Sequence, residues 1–330
     1  MNHPSKIVKD IGEQGLLQRL QLFCPTNIIG DDGAVVNLSA GQSLVVTTDV
    51  LVEGVHFSDR TTSAFDVGWR GAAANLSDLA AMGATPVGIT VGLSLPGNVA
   101  VEWVENLYRG LNSCLKKYRS SILGGDITRS NVITVSINAF GQVFPNRVIR
   151  RCDARSGDAI VVTGSHGNSR SGLELLLHPE KGQNLEEKER DFLIGTHQRP
   201  LPRLDVLDYL WQVYEQPRIA GADSSDGLAD AIIQICRCSE VGAKIERFAI
   251  PISPYLSKFT SPDRALEYAL YGGEDFELVL CLPTSAAKAL VKHLGKEAAI
   301  IGNITAEREI KLIDGDRSQL LTLTEGFQHF

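Results

Sequence analysis

Six aspartates share one sequence setting that is suited to metal chemistry. In each case an apolar run ends, small residues follow and a carboxylate appears; the six are Asp32, Asp49, Asp78, Asp126, Asp223 and Asp226. In proteins, Mg²⁺ is usually bound by carboxylates from several loops together with substrate phosphates and water. Each aspartate alone also fits an ordinary turn or a helix N-terminus. The prediction of a metal site therefore depends on the set converging in the folded chain.

The first two of these aspartates lie before the start and near the end of a stretch that predicts a β-hairpin. Residues 34–38 and 43–50 are apolar runs separated by four residues of turn composition. Pairing of the two runs would bring Asp32 and Asp49 into one neighbourhood. Two threonines directly before Asp49 would add hydroxyl oxygens to the same group of metal ligands.

Three glycine-rich segments could approach phosphate groups closely, because glycine exposes backbone N–H groups. They are residues 124–126, 164–167 and 272–275. None has the spacing of a P-loop or of a dinucleotide-binding G-x-G-x-x-G motif. If the chain binds ATP, metal ions rather than a P-loop lysine would neutralise the phosphates.

Two basic residues could each have either a functional or an ordinary structural role. His56 is the one histidine close to an acidic cluster, and it fits a loop histidine at least as well as a catalytic base. Arg151 lies in an arginine-rich segment, where it could contact a phosphate or remain a solvated charge. The chain has neither a G-x-S-x-G elbow nor an H-E-x-x-H helix, so a hydrolase has little support.

The hydrophobic pattern predicts mixed helices and strands in both halves of the chain. Glycines interrupt a first, broken helix over residues 5–23. The most regular pattern is a helix over residues 63–82, with Ser63 as N-cap and Gly83 as its end. The first half also predicts a strand at 87–95, a helix at 101–118, a short strand end at 121–123 and a β-rich segment at 131–143.

A polar, basic segment over residues 145–157 marks a domain boundary near its start, which gives domains 1–146 and 147–330. The pattern there predicts strands at 158–163, 218–222 and 274–282, and helices at 171–177, 185–196, 203–214, 228–239, 264–270 and 284–294. Helices and strands mix without strict alternation. The fold class predicted is therefore α+β in two domains.

The composition is typical of an ordinary globular protein. The chain has 330 residues, of which 43% are hydrophobic and 22% charged, and a formal net charge of −7. It has no apolar segment of membrane-spanning length and no signal-peptide pattern. We therefore expect a cytoplasmic protein without membrane partners, and the acidic balance argues against a nucleic-acid partner.

Taken together and in order, the motifs resemble those of the thiamine-monophosphate kinases, in the superfamily that includes aminoimidazole ribonucleotide synthetase. The matching segments cover nearly the whole chain: GDD (30–32), TTDVLVEGVHF (47–57), NLSDLAAMGATP (75–86), GGDITRS (124–130), DSSDGL (223–228), GGEDFEL (272–278) and GFQHF (326–330). One such motif would be weak support, but the ordered set is specific.

The resemblance implies ATP-dependent phosphorylation of thiamine phosphate to thiamine diphosphate, the last step of thiamine diphosphate biosynthesis. It also implies a homodimer in which the N-terminal sheets pair, with a C-terminal α/β domain that completes the site. The nucleophile would be a phosphate oxygen of the substrate, whose second pKa of about 6 leaves it largely anionic at neutral pH. In-line transfer assisted by several Mg²⁺ ions would then need no protein general base.

Site residues follow from the resemblance, motif by motif. The implied Mg²⁺ ligands are Asp32, Thr47, Thr48, Asp49, Asp78, Asp126, Asp223 and Asp226. The implied ATP contacts are Tyr108, Gly125, Asp126, Arg151 and Ser225. His56 and Glu274 would contact thiamine phosphate. Thr324 stands where some members place an aromatic residue for the substrate ring, with Phe327 as a substitute.

Other members of the superfamily and a catalytically silent binding module are the alternatives. Selenophosphate synthetases carry a reactive Cys or selenocysteine in an N-terminal glycine-rich segment, whereas Cys24 lies outside such a segment. The hydrogenase-maturation member ends in a cysteine, whereas this chain ends in Phe330. Aminoimidazole ribonucleotide synthetase should lack TTDVLVEGVHF and GGEDFEL. A silent module would have lost ligand positions, and every aspartate of the set is present.

Overall fold

The computed structural model describes residues 6–26, 28, 33–215 and 218–322. The chain divides into two compact units: unit 1 is Met1–Leu79 with Thr85–Val143, and unit 2 is Ala80–Ala84 with Phe144–Phe330. A four-stranded sheet and a seven-stranded sheet organise them. Among the helices in the described part of the chain, none is both long and apolar enough to cross a bilayer.

Unit 1 combines three helices with a sheet of mixed direction. The helices are α1 (Val8–Leu20), α2 (Ala64–Ala81) and α3 (Val101–Lys117), and the strands are β1 (Ser43–Val52), β2 (Thr85–Leu95), β3 (Ile122–Arg129) and β4 (Thr134–Val143). The strand order is β1-β4-β2-β3. Neighbours are antiparallel except β2 and β3, which are parallel. In the first helix the predicted interruption falls at Gly12, where φ is 65°.

Helix α2 forms as predicted, and its sequence explains both its ends and its packing. The Ser63 hydroxyl accepts the N–H of Asp66 at 3.2 Å, which confirms the N-cap, and Gly83 follows the helix with a φ of 73°. A Cβ at Gly68 would lie 2.0 Å from Leu107 O, and one at Gly110 would lie 1.8 Å from Phe65 O. Glycines thus allow the backbones of α2 and α3 to come into direct contact.

The sheet of unit 1 has one buried and one more open face. Residues of β4 alternate strictly, with Val135, Ile137 and Ala139 buried. A Cβ on Gly71 of α2 would lie 2.8 Å from Ile137 Cδ1, so α2 covers this face. On the edge strand β1, the opposite face leaves three apolar side chains exposed: Leu44, Val46 and Val50.

The predicted hairpin is wrong, because residues 34–38 form no strand. Strand β1 instead pairs along its full length with β4, from Ser43 opposite Val143 to Val52 opposite Thr134. This ten-residue partner supplies a longer hydrogen-bonded ladder than the short run before the turn. The expected approach of Asp32 to Asp49 involves a residue outside the described part of the chain.

The segment 121–123 is likewise more than a short strand end. Strand β3 continues through Gly124, Gly125 and Asp126 to Arg129, because β2 offers a parallel partner as far as Leu95. Asp126 is therefore a strand residue, where the sequence pattern predicted a loop.

Unit 2 contains a mixed seven-stranded sheet with helices on both faces. The strands are β5 (Ala159–Val162), β6 (Ala220–Asp223), β7 (Gly242–Glu246), β8 (Leu278–Leu282), β9 (Ala299–Thr305), β10 (Ile310–Asp314) and β11 (Arg317–Leu320), in the order β11-β10-β7-β9-β5-β8-β6. The helices are α4 (Asn168–Leu177), α5 (Glu187–Gln198), α6 (Leu204–Val213), α7 (Leu228–Ser239), α8 (Pro254–Phe259), α9 (Pro262–Tyr271) and α10 (Thr284–Leu294).

Two hydrophobic cores lie on the two faces of this sheet. Along β5, Ile160 and Val162 belong to the core that contains α7, whereas Ala159 and Val161 belong to the core that contains α6 and α10. A strand buried on both faces reads as a continuous apolar run, which is the pattern at residues 158–163.

The predicted strand at 274–282 starts four residues late, at Leu278. The preceding loop contains two non-glycine residues in the left-handed region, Glu274 with φ of 58° and Phe276 with φ of 53°. Extended strand backbone is incompatible with these angles. Glu274 is consequently a loop residue.

Candidate active site

An oxygen-rich group lies between β1 and α2 in unit 1. Thr47 and Asp49 are two residues apart on β1, so their side chains share the face that α2 covers. The Thr47 hydroxyl donates to a carboxylate oxygen of Asp78, which α2 carries. Both aspartates are half-buried. Three of the predicted metal ligands are thus brought to one side of the sheet.

Thr48 points to the other face of β1. Its hydroxyl donates to Asn138 Oδ1 at 2.7 Å, and the Asn138 amide donates to Thr90 Oγ1 at 3.4 Å. Thr90 is in register with Gly124 of β3, and Gly92 with Asp126. A polar row on this face therefore leads from β1 toward the glycine segment of β3.

Asp126 is separated from the Asp49 group within unit 1. Two strands lie between β1 and β3, which corresponds to roughly 14 Å at the usual strand spacing. Asp126 also shares the face of Thr48, opposite Asp49. Within the described residues, no three His, Cys, Asp or Glu side chains are arranged to hold a metal ion. A cage that joins the six aspartates stays a prediction.

A cavity of about 460 Å³ in unit 1 adjoins the glycine segment of β3. Three residues expected to contact ATP line it: Tyr108, Gly125 and Asp126. Leu17 and Leu20 add apolar surface. Tyr108 is almost fully buried, its ring centroid is 5.8 Å from that of Phe23, and burial raises its pKa. The cavity therefore combines an apolar wall with open strand backbone.

Gly125 is required by its surroundings. A Cβ at this position would lie 2.1 Å from the carbonyl oxygen of Val91 on β2. Glycine lets β3 keep its parallel pairing and exposes backbone beside the cavity, which suits a close approach by phosphate.

In unit 2 the two recognised loops are in direct contact. The N–H of Glu274 donates to the carbonyl of Ser225 at 2.7 Å. A Cβ on Gly273 would lie 2.8 Å from that same carbonyl oxygen. Ser225 Oγ donates to Asp223 Oδ1 at 3.1 Å. The structure thus brings Asp223, Ser225 and Glu274 together, with Asp226 next to them at the start of α7.

Buried polar groups hold these loops from behind. The His166 ring bonds the carbonyl of Gly164 through Nδ1 and the hydroxyl of Ser224 through Nε2, both at 3.1 Å. A carbonyl only accepts, so Nδ1 carries the proton and Nε2 accepts from Ser224. Burial lowers the pKa of His166 to about 4, which keeps the ring neutral.

Asp275 performs a similar role at the start of α4. Its carboxylate oxygens accept the N–H groups of Gly167 at 2.6 Å and Ser169 at 2.9 Å. Burial raises the pKa of Asp275 to about 7, although the two backbone donors act in the opposite direction. The GGEDFEL segment thus fixes one end of α4 as well as presenting Glu274.

His56 lies just beyond β1, within unit 1. Its Nδ1 accepts the N–H of Val52 at 3.1 Å, and its carbonyl accepts from Arg70 Nη1 at 3.1 Å. With Nδ1 bound to the backbone, the ring is fixed at the end of the strand. This arrangement favours a positioned contact group over a general base.

The backbone of Arg151 contacts the C-terminal end of α7. Its carbonyl accepts from Ser239 Oγ at 2.8 Å, at the C-terminal end of α7. Asp226 precedes the other end, and the twelve residues of α7 span roughly 18 Å. Contact between Arg151 and ATP stays a prediction. Asp32, Thr324 and Phe327 lie outside the described residues.

Sequence reasoning missed the three supporting residues His166, His197 and Asp275. Asp275 lies inside the GGEDFEL motif, next to Glu274. Its place in that motif was a sequence signal from which a supporting role could have been predicted. His166 lies within the glycine-rich segment 164–167, and His197 lies outside the recognised motifs. In both cases the tertiary structure places the ring beside the loops.

The chain is similar to known proteins over most of its length. Family models of AIR synthase related proteins match the N-terminal domain at residues 30–143 and the C-terminal domain at residues 155–315. The thiamine-monophosphate kinase of Synechococcus elongatus is 52% identical over 329 residues, which cover 98% of each chain.

Two solved structures extend the similarity to three dimensions. The thiamine-monophosphate kinase of Stenotrophomonas maltophilia has a TM-score of 0.79 and 32% identity, covering 90% of this chain and 95% of its own. AaThiL complexed with AMPPCP and TMP has a TM-score of 0.72 and 30% identity, covering 97% and 100%. The two-domain α+β fold implied by the motifs is confirmed. The chain therefore belongs to the thiamine-monophosphate kinase family of enzymes, within the AIR synthase related proteins.

Proposed function

We propose that this enzyme transfers the γ-phosphoryl group of ATP directly to thiamine phosphate, giving thiamine diphosphate and ADP as the last step of thiamine diphosphate biosynthesis. The observation that carries the proposal is the full-length similarity to thiamine-monophosphate kinases, at 52% identity for the relative from Synechococcus elongatus. A relative that covers 97% of the chain has been solved with AMPPCP and TMP.

ATP is assigned to the cavity beside β3. Tyr108 and the neighbouring leucines offer an apolar wall for a base, and Gly125 offers backbone to phosphates. Asp126 adjoins the same cavity, where it would reach a metal ion on the phosphates. Ser225 and Arg151 complete the proposed ATP contacts.

Mg²⁺ is assigned to the oxygen ligands of the two units. The ligand set fits the ion, because Thr47, Asp49 and Asp78 present only hydroxyl and carboxylate oxygens on one side of the sheet. Thr48, Asp126, Asp223, Asp226 and Asp32 are the further proposed ligands. When bound, Mg²⁺ would neutralise the charge of the two phosphate groups that react.

The residues of the chain then act by positioning. The substrate phosphate is already largely anionic at neutral pH, so no side chain has to remove a proton from it. Glu274 and His56 are proposed to orient thiamine phosphate, and Thr324 to lie near its ring. In-line alignment of the two phosphates supplies a substantial part of the rate enhancement in such a reaction, together with electrostatic stabilisation.

We further propose that the enzyme is a homodimer in the cytoplasm. The exposed fractions of Leu44, Val46 and Val50 are 51%, 55% and 44%. These side chains alternate along one face of an edge strand, which gives a second copy an apolar surface to cover.

An acceptor panel tests the proposed reaction. Purified enzyme is incubated with ATP and Mg²⁺ and with thiamine phosphate, thiamine, selenide or formylglycinamidine ribonucleotide as the second substrate. We expect ADP to form at a one-to-one ratio with thiamine diphosphate, and only with thiamine phosphate. ADP formation with another acceptor alone would replace the proposal with a different kinase or synthetase, and ATP binding without ADP formation would indicate a silent module.

A further inference from the structure

His197 is a buried histidine that belongs to none of the recognised motifs. It lies in the last turn of α5, and only 2% of its surface is exposed. Its Nδ1 is 3.1 Å from Ser169 Oγ and 3.4 Å from Glu274 Oε2. Because both contacts use one ring nitrogen, they define where that nitrogen points.

Close packing of α4 against α5 explains how His197 reaches this position. A Cβ on Gly172 of α4 would lie 2.1 Å from Leu193 O and 3.0 Å from His197 Cβ. The missing side chain lets the two helices come into direct backbone contact. His197 is thereby held against the first turn of α4, which the Asp275 carboxylate fixes through the N–H of Ser169 at 2.9 Å.

Glu274 has a fixed backbone and a partly open side chain. Its φ of 58° is uncommon for a residue with a side chain, and its N–H is bonded to Ser225. The Glu274 side chain is 35% exposed. A glutamate with three rotatable bonds samples several rotamers unless neighbours restrict it. His197 lies on the buried side of this carboxylate, where it restricts that freedom.

We propose that His197 is a positioning residue that orients the Glu274 carboxylate toward thiamine phosphate. It thereby sets the affinity for this substrate while leaving the phosphoryl transfer step unchanged. The inference rests on the proposed function, in which Glu274 contacts thiamine phosphate. A carboxylate oxygen accepts hydrogen bonds, so the interaction uses an N–H at Nδ1.

A matched pair of substitutions tests which ring nitrogen matters. Asparagine places an amide nitrogen near the position of Nδ1, whereas glutamine places one near Nε2. We expect His197→Gln to raise the KM for thiamine phosphate roughly tenfold, as the loss of a charge-assisted contact does. The kcat and the KM for ATP should stay within about twofold of wild type, and His197→Asn should retain most of the affinity.

A double-mutant cycle separates positioning from a general structural effect. In a Glu274→Gln background, His197→Gln should have little further effect on the KM for thiamine phosphate, because the group on which it acts has changed. The proposal is overturned if the full tenfold effect persists in that background, or if the Asn and Gln variants lose kcat equally.

Nitrogen NMR of ¹⁵N-histidine-labelled wild-type enzyme provides a measurement that needs no folded His197 variant. We expect the Nδ1 signal of His197 to shift on addition of thiamine phosphate, and the shift to disappear in Glu274→Gln. A signal unchanged by saturating thiamine phosphate would overturn the proposal.

Failure of the proposed function looks different, because wild-type enzyme would then form no thiamine diphosphate. A Glu274→Gln enzyme with unchanged KM would remove the role of His197 while leaving that function intact.

Discussion

Asp49 and Asp78 come from a strand and a helix and reach the same side of the sheet, where Asp78 bonds the hydroxyl of Thr47. We expect Asp49→Asn and Asp78→Asn each to reduce Mg²⁺-dependent turnover by roughly 100-fold or more, because each removes a charge that the metal requires. Activity would be measured across a Mg²⁺ titration, with circular dichroism as a check on folding. Glu102→Gln, which changes an exposed carboxylate of α3, is the control. Near-wild-type activity in either aspartate variant would show that the metal site lies elsewhere.

His166 and Asp275 predict opposite pH dependences of stability. The pKa of His166 falls from 6.5 to about 4 on folding, so the folded chain binds fewer protons and loses stability as the pH falls through this window. The pKa of Asp275 rises from 3.8 to about 7, so the folded chain binds more protons and loses stability as the pH rises. In the wild-type protein the two trends oppose each other.

Two single substitutions should separate these trends. Relative to wild type, the unfolding free energy of Asp275→Asn should rise with pH between 4 and 7, and that of His166→Asn should fall between 4 and 6.5. Each slope is at most about 1.4 kcal/mol per pH unit for one proton. Urea denaturation at several pH values measures both. Slopes parallel to wild type in both variants would show that neither group changes its pKa on folding.

Local sequence predicted helix α2 well, because its capping serine, its apolar pattern and its terminal glycine all indicate the same helix. It failed where a distant strand determined the pairing. The partner of β1 is β4, some ninety residues away in the chain, and no property of residues 34–38 reveals that competition. Local sequence also failed to predict the length of β3. This strand continues through two glycines because β2 pairs with it in parallel.

The residues of the candidate site also divide into those that the sequence motifs predicted and those that depend on tertiary structure. The motifs identified Thr47, Asp78, Ser225 and Glu274, which the structure places in two groups of contacts. The motifs did not reveal that Asp126 lies on the opposite face from Asp49, since this depends on strand register. They also did not reveal His197, because its place follows from the packing of two helices.

Helix packing predicts opposite effects for two helical glycines. Gly110→Ala would put a Cβ 1.8 Å from Phe65 O and force α2 and α3 apart, which should destabilise the protein by roughly 1–3 kcal/mol. Gly195 of α5 has no neighbouring atom within 4 Å of an added Cβ. Gly195→Ala should therefore stabilise by roughly 0.5–1 kcal/mol through helix propensity. Chemical denaturation compares the two, and destabilisation of equal size in both would argue against this packing.

The exposed apolar face of β1 predicts that the whole protein associates with a second copy of itself. A lysine at Val46 would place a charge in the centre of the apolar row formed with Leu44 and Val50. We expect Val46→Lys to shift the protein from dimer to monomer in sedimentation velocity. Phe248→Lys, at a side chain that is 82% exposed in unit 2, should leave the dimer intact. A monomeric wild-type protein, or a dimeric Val46→Lys variant, would remove this face as the interface.

We propose that the phosphoryl group passes directly between the two bound phosphates, with no protein base and no phospho-enzyme. A rapid-quench single turnover with γ-³²P-labelled ATP, Mg²⁺ and thiamine phosphate tests this transfer. We expect the label to leave ATP and to appear in thiamine diphosphate at the same rate, with none on the protein. Label released as inorganic phosphate without labelled thiamine diphosphate, or held on the protein before the product forms, would contradict it.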